Sequence, residues 1–320
     1  MKNSLAALFL CLLAFNCFGE NAKLFKNFGV DNPISYSFVR TITQDKSGFI
    51  WFGSSEGLDR FDGHQSVSFY HDSSKPNSLS SDVISRLIVD KKHRLWVGTF
   101  GGGLNLYREE NQDFLRFSTK TKGLAITNDT VNAIFEDSQG KIWLGTENGL
   151  NIISENGGNW AVKAIHQELG KVNTLSHNTV LSIVEVASGE VWIGTNGGGI
   201  SVYSLNGDFI KSIKLADTGS ATYVNKFISK LFVDDANNVW IGTTDSGLIR
   251  YNLATEKYTH FTFNAEIETS LTSNTITDIY QDSAQTIWVA TDNGLSILNA
   301  ATSDFSRYYH SAINPSSLSS

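Results

Sequence analysis

Carboxylates and carboxamides, not nucleophiles or metal ligands, are the side chains of this 320-residue sequence whose type and placement could do chemistry. Glu56, Glu147 and Asp245 recur at matching places in an internal repeat. Two facing carboxyls can work as an acid and a base, but that depends on a separation that sequence does not give. The seven histidines show no metal-ligand spacing. No H-x-x-x-H pair, Gly-x-Ser-x-Gly turn or phosphate loop is present. The triplets Gly101-Gly102-Gly103 and Gly197-Gly198-Gly199 lead into short hairpins with no helix behind them, which argues against a nucleotide site. No catalytic residue, metal or cofactor is expected.

Composition narrows the partners. Charged residues make up 18 % of the chain, aromatics 12 %, and the net charge is -7 with no dense Lys/Arg cluster. Disorder is excluded by the aromatic content, and nucleic acid by the absence of a concentrated basic surface. An apolar run from Leu5 to Phe15 behind Lys2 is too short to cross a bilayer and reads as a secretory leader, with cleavage expected after Gly19. Both cysteines, Cys11 and Cys17, fall in that leader. The expected organisation is a signal peptide at 1–19 and a cysteine-free exported domain at 20–320.

The elements that position any site are set by a repeat. Trp51, Trp96, Trp143, Trp192, Trp240 and Trp288 recur at intervals of 45 to 49 residues. Each is followed by an apolar residue, then Gly (Ala290 in the last copy), then Ser or Thr. Five copies place an Asp six residues earlier, at Asp45, Asp90, Asp137, Asp234 and Asp282, and the fourth has Val186. In each copy the stretch ending at the Asp reads as a strand buried on both faces, with a bulge. Asp-x-x-Gly supplies a hairpin turn, the Trp lies on a second strand, Gly-Leu or Gly-Ile opens a third, and paired aromatics such as Phe114 and Phe117 mark a fourth. Trp160, outside the register, falls where these outer aromatics do.

Four short antiparallel strands per repeat of about 47 residues specify an all-β fold, a β-propeller of four-stranded antiparallel blades. Each Trp must pack on the next blade. Phe25-Lys26-Asn27-Phe28 reads as a further fourth strand, and residues 309–320 match 70–81 in register. The expectation is six blades plus an N-terminal closing strand of an incomplete seventh, the chain being cut before a seventh repeat.

Residues present in every blade hold blades together; a site belongs where the blades differ on a shared face. The loop leading into the first strand and the loop joining the second and third should lie at one mouth of the channel. From these loops the candidate ligand-binding residues are Glu56, Phe100, Asp129, Glu147, Asn148, His177, Asn196, Asp245 and Asp292. Amides and carboxylates around one aromatic suit sugar hydroxyls.

Asp137 to Thr146 with Gly149-Leu150, and Asp45 to Ser54 with Gly57-Leu58 and Phe61-Asp62-Gly63, resemble the two-component regulator propeller family. Val186 and Ala290 depart from its motif. The resemblance implies the periplasmic sensor of a transmembrane signalling protein, with propellers and a β-sandwich ahead of a membrane helix. The output is a histidine kinase, often hybrid, or a GGDEF-type diguanylate cyclase, and the ligands are largely oligosaccharides. It further implies an inner-membrane anchor through a C-terminal region outside this chain, and a homodimer of the full-length protein. A secreted carbohydrate-active enzyme, or an extracellular interaction module without catalysis, is the alternative.

Overall fold

Hydrogen bonding within each repeat closes locally, so the chain builds one small sheet before it starts the next. The computed structural model describes residues 39–215, 226–314 and 316–318. These form six four-stranded antiparallel sheets, each with its strands in sequence order and no helix among the described residues. The blades span 39–69, 84–117, 131–165, 180–213, 228–261 and 276–308. They stand in a ring, and the first strands of all six line a central channel of about 770 Å³. The described residues form a six-bladed β-propeller. The leader and the strand expected at Phe25–Phe28 lie outside the described residues.

The bulge read from the sequence occurs in every blade, as a register shift where the first strand pairs with the second. It lets consecutive residues of the first strand serve different neighbours. Its β-branched opening residue presses on the glycine of the preceding blade's Trp-x-Gly. A Cβ on Gly98 would meet Val131 Cγ1 at 2.6 Å, and one on Gly145 would meet Val180 Cγ1 at 2.5 Å. The Trp-x-Gly glycine is therefore a contact point between blades, where any side chain would push them apart.

The first five repeat tryptophans pack forward onto the next blade as expected. Trp51 lies 5.2 Å from the ring of Tyr107 in the second blade, and Leu79, Ile84 and Phe114 share its cluster. Trp160 belongs to this packing too, edge-on to Trp96 and Phe117 at 5.6 Å. Burying one such ring is worth roughly 3 kcal/mol or more. The junction between the sixth and first blades differs from the other five. Val39 is 38 % exposed and Ile42 60 %, although their counterparts Ile84 and Leu87 are buried, and Tyr280 is 63 % exposed. Trp288 is only partly buried, whereas the other five repeat tryptophans are fully buried. Past the sixth blade, His310 Nδ1 lies 2.8 Å from Leu318 O, the contact that His71 Nδ1 makes with Leu79 O at 2.8 Å on leaving the first. Both histidines are structural.

The recurrent Asp closes the turn at the end of the blade away from the mouth. Asp137 accepts the amides of Gln139 and Lys141, both at 2.9 Å, and the indole N–H of Trp143 at 2.8 Å. The same indole bond recurs at 2.7 to 2.9 Å from Asp45, Asp90, Asp234 and Asp282. Glycine takes the left-handed turn position at Gly48 and Gly140, but His93, Asn237 and Gln285 hold it in three other blades.

At Asp282 the Trp288 indole bond, followed by the Thr286 amide, holds the carboxyl below its ordinary value of 3.8. A lowered folded-state pKa adds stability above the unfolded value, and that stability is lost as pH falls through the folded one. An NMR titration should therefore place the Asp282 midpoint below 3.8. Asp282→Asn should remove that contribution to acid sensitivity.

Candidate functional site

The two loop sets converge at one end of the ring, and backbone hydrogen bonds show how. Within a blade, the loop after the second strand donates to the loop leading into the first. These bonds run from Phe100 N to Val83 O (2.9 Å), Glu147 N to Thr130 O (3.2 Å), Asn196 N to Thr179 O (3.0 Å) and Asp292 N to Thr275 O (3.2 Å). Between blades, the glycine that opens the third strand donates onward: Gly103 N to Asp129 O at 2.8 Å, Gly149 N to Asn178 O at 2.7 Å and Gly247 N to Asn274 O at 2.9 Å. From the second blade to the sixth, the mouth is thus a hydrogen-bonded rim. Its backbone polar groups are satisfied by one another, which leaves the side chains free to vary.

Seven of the nine candidate residues stand in solvent on this rim: Glu56, Phe100, Glu147, Asn148, Asn196, Asp245 and Asp292. The other two are partly buried and engaged. Asp129 accepts the amide and hydroxyl of Thr119 at 2.7 and 2.8 Å, so its carboxylate ties the fourth strand's exit to the next blade. Asp82, Asn178 and Asn274 accept the amides of His71, Gln167 and Phe263 in the same register at 2.6 to 2.7 Å, which makes this a repeated structural device. His177 Nδ1 accepts the Thr179 amide at 3.1 Å and braces its own loop. Of the exposed seven, Glu147 is held by Asn132 Nδ2 at 2.8 Å, and Asp245 accepts the Ser246 hydroxyl at 2.8 Å.

Two cations, Arg40 and Lys226, sit over aromatic rings at this end of the ring. The Arg40 guanidinium lies 5.5 Å from the centre of the Phe100 ring, so this candidate aromatic is capped by a charge from the neighbouring blade. Lys226 lies 5.1 Å over Phe227. Lys226 also borders a cleft of about 670 Å³ with Ser176, Gly198 and Ser212. No sequence signal linked Arg40 to Phe100, because the contact crosses between blades 60 positions apart. Among the described residues, no three His, Cys, Asp or Glu side chains converge as a metal-holding group.

Comparison with known proteins places this architecture. A search of curated sequences gives no match. The extracellular domain of a protein described as a hybrid two component system, BT3049 of B. thetaiotaomicron, is 28 % identical with a TM-score of 0.74; the match covers 93 % of this chain and 38 % of that one. The chain thus spans well under half the length of that relative. PorZ, a surface component of the type-IX secretion system of Porphyromonas gingivalis, shares the fold at 18 % identity and a TM-score of 0.61, over 81 % of this chain and 38 % of its own. Virginiamycin B lyase of Staphylococcus aureus shares it at 12 % identity and a TM-score of 0.61, over 87 % and 85 %. These two likenesses show the fold alone. The repeat model described as two component regulator propeller matches residues 33–56, 78–101, 125–148, 174–197 and 270–293. The fifth blade is not matched, yet its Asp234, Trp240 and Gly242 keep the same geometry. One repeat model thus matches five of six structurally equivalent blades, and the chain carries the repeat described as two component regulator propeller.

Proposed function

We propose that this propeller is the exported ligand-sensing region of a transmembrane signalling protein, and that its mouth binds an oligosaccharide. The observation that carries the reading is the five-fold match to the regulator propeller repeat, together with the likeness to the extracellular domain of a hybrid two component system. The rim adds chemical support. Glu56, Glu147, Asp245 and Asp292 offer acceptors, Asn148 and Asn196 offer both donors and acceptors, and Phe100 offers a ring face for a sugar. In the full-length protein the ligand would favour one of two arrangements of a homodimer, and the shift would pass to a kinase or cyclase output through a membrane helix. Such a shift needs a difference in affinity between the two arrangements, not tight binding as such. The lyase neighbour makes a catalytic propeller the second reading, on fold alone.

Calorimetric binding to an oligosaccharide panel tests the proposal. For the best binder, Phe100→Ala and Glu147→Ala should each weaken affinity roughly tenfold, about 1.4 kcal/mol. Unchanged affinity in both variants would overturn this choice of mouth, and new chain ends appearing in the polysaccharide would favour the enzyme.

A further inference from the structure

One level of the channel, the third residue in from the mouth on each first strand, carries an unbalanced charge. Pairing with the second strand places Thr41, Arg86, Ala133, Ser182, Lys230 and Asp278 at this level, opposite Gly53, Gly98, Gly145, Gly194, Gly242 and Ala290. Four of the six are accounted for by one another or by the fold. Thr41 Oγ1 accepts the Leu87 amide at 3.2 Å and Ser182 Oγ the Leu231 amide at 2.8 Å, each from the next blade. Lys230 Nζ and Asp278 Oδ1 pair at 2.6 Å. Ala133 is small. Arg86 is the remainder.

The Arg86 guanidinium borders the channel and is wetted by it. Its one described hydrogen bond runs from Nη1 to the neighbouring Ser85 carbonyl at 2.8 Å, and among the described residues no carboxylate lies within ion-pair reach of it. The channel wall around it draws its pKa down by desolvation, the charge of Arg40 adds to that, and Asp278 opposes it. Asp278 is already the partner of Lys230, so the level and its neighbour Arg40 together carry three cations against one anion. The guanidinium stands in a channel level of net positive charge with no fixed carboxylate on its fork, and an oxyanion reaching it would gain two parallel charge-assisted bonds. Thr41 and Ala133, on either side of Arg86, are small enough to leave room.

We propose that the channel throat is an oxyanion site, with Arg86 as the primary contact and Arg40 as the second cation, taking a carboxylate or sulfate group either free or borne by a saccharide at the mouth. This deepens the sensor reading and rests on it for the saccharide source, but the anion site is scored separately.

The full chain and each variant are titrated with inorganic sulfate by calorimetry, and in the unsubstituted chain the Arg86 side-chain Nε–H is followed by NMR. A saturable shift is expected, with affinity weakened roughly tenfold or more in Arg86→Gln and less in Arg86→Lys, which keeps the charge but loses the fork. The exposed Lys122→Gln should leave it unchanged. A second arm compares an oligogalacturonate with its neutral methyl ester. Preference for the acid that disappears in Arg86→Gln assigns the site to a saccharide acid, and sulfate binding without that preference assigns it to a free anion; both outcomes uphold the site. A non-saturating sulfate shift, or sulfate binding unchanged in Arg86→Gln, overturns it. Failure of the sensor reading shows differently, as neutral oligosaccharides binding without regard to Phe100 while sulfate binding persists.

Discussion

Gly103→Ala should destabilise the propeller by about 3 kcal/mol or more, while Gly101→Ala, two residues away in the same loop, should cost only about 1 kcal/mol. Both glycines have left-handed backbones, at φ +86° and +82°. The difference lies in what a Cβ would meet. At Gly101 it meets nothing within 4 Å, so the cost is backbone strain alone. At Gly103 it falls 2.2 Å from the carbonyl oxygen of Phe117, on the blade's own fourth strand. That oxygen is backbone and cannot rotate away. The third and fourth strands would have to separate, and the Gly103 N–H bond to Asp129 O, which joins the second blade to the third, would be strained with them. Urea unfolding of the two variants checks this, and equal midpoints would show that the loop yields where the packing says it cannot.

Asp137→Val should cost about 2 to 4 kcal/mol, and Val186→Asp should add about 1 kcal/mol. Asp137 is fully buried and serves three donors, two of the turn and the Trp143 indole. Valine would orphan all three, and a buried N–H without a partner keeps its full desolvation cost. The fourth blade already lives with that defect. Val186 is buried there, and the Trp192 Nε1 beside it has no hydrogen-bond partner. The turn itself is intact, with Val186 N to Glu190 O at 2.9 Å and Gly189 N to Val186 O at 2.8 Å. A carboxylate introduced at 186 therefore finds the setting the other blades use. Thermal or urea unfolding of both variants decides it. Destabilisation by Val186→Asp as large as that by Asp137→Val would mean the fourth blade has repacked around its valine.

Most of the fold is legible in the sequence because the repeat signal is made of contacts, not propensities. The Trp-x-Gly step is readable five times over, since the indole fills the gap between blades and the glycine lets the next blade's β-branched residue come close. The Asp signal is readable as a turn, but its bond to the Trp indole six residues on becomes visible only when the hairpin is folded. The rim is legible in outline. Both loop sets do share one end, and seven of nine candidates are exposed there. Asp129 shows where loop composition misleads: it reads like a ligand-binding carboxylate, yet Asp82, Asn178 and Asn274 repeat its register and its bond to the preceding strand. Recurrence of Asp or Asn at that position was the available warning. Arg40 over Phe100 and the isolated Arg86 were not legible, because each depends on which strands face one another across the ring.

The central claim is that ligand recognition belongs to the rim of side chains that differ from blade to blade, not to the uniform Asp–Trp end. Amide hydrogen exchange on the full chain, with and without a bound oligosaccharide from the panel, tests it most directly. Protection is expected in the loops around Phe100, Glu147, Asn196 and Asp292, with the turns at Asp45, Asp90, Asp137 and Asp282 unchanged. Protection confined to those Asp turns, with the rim loops unaffected, would contradict it.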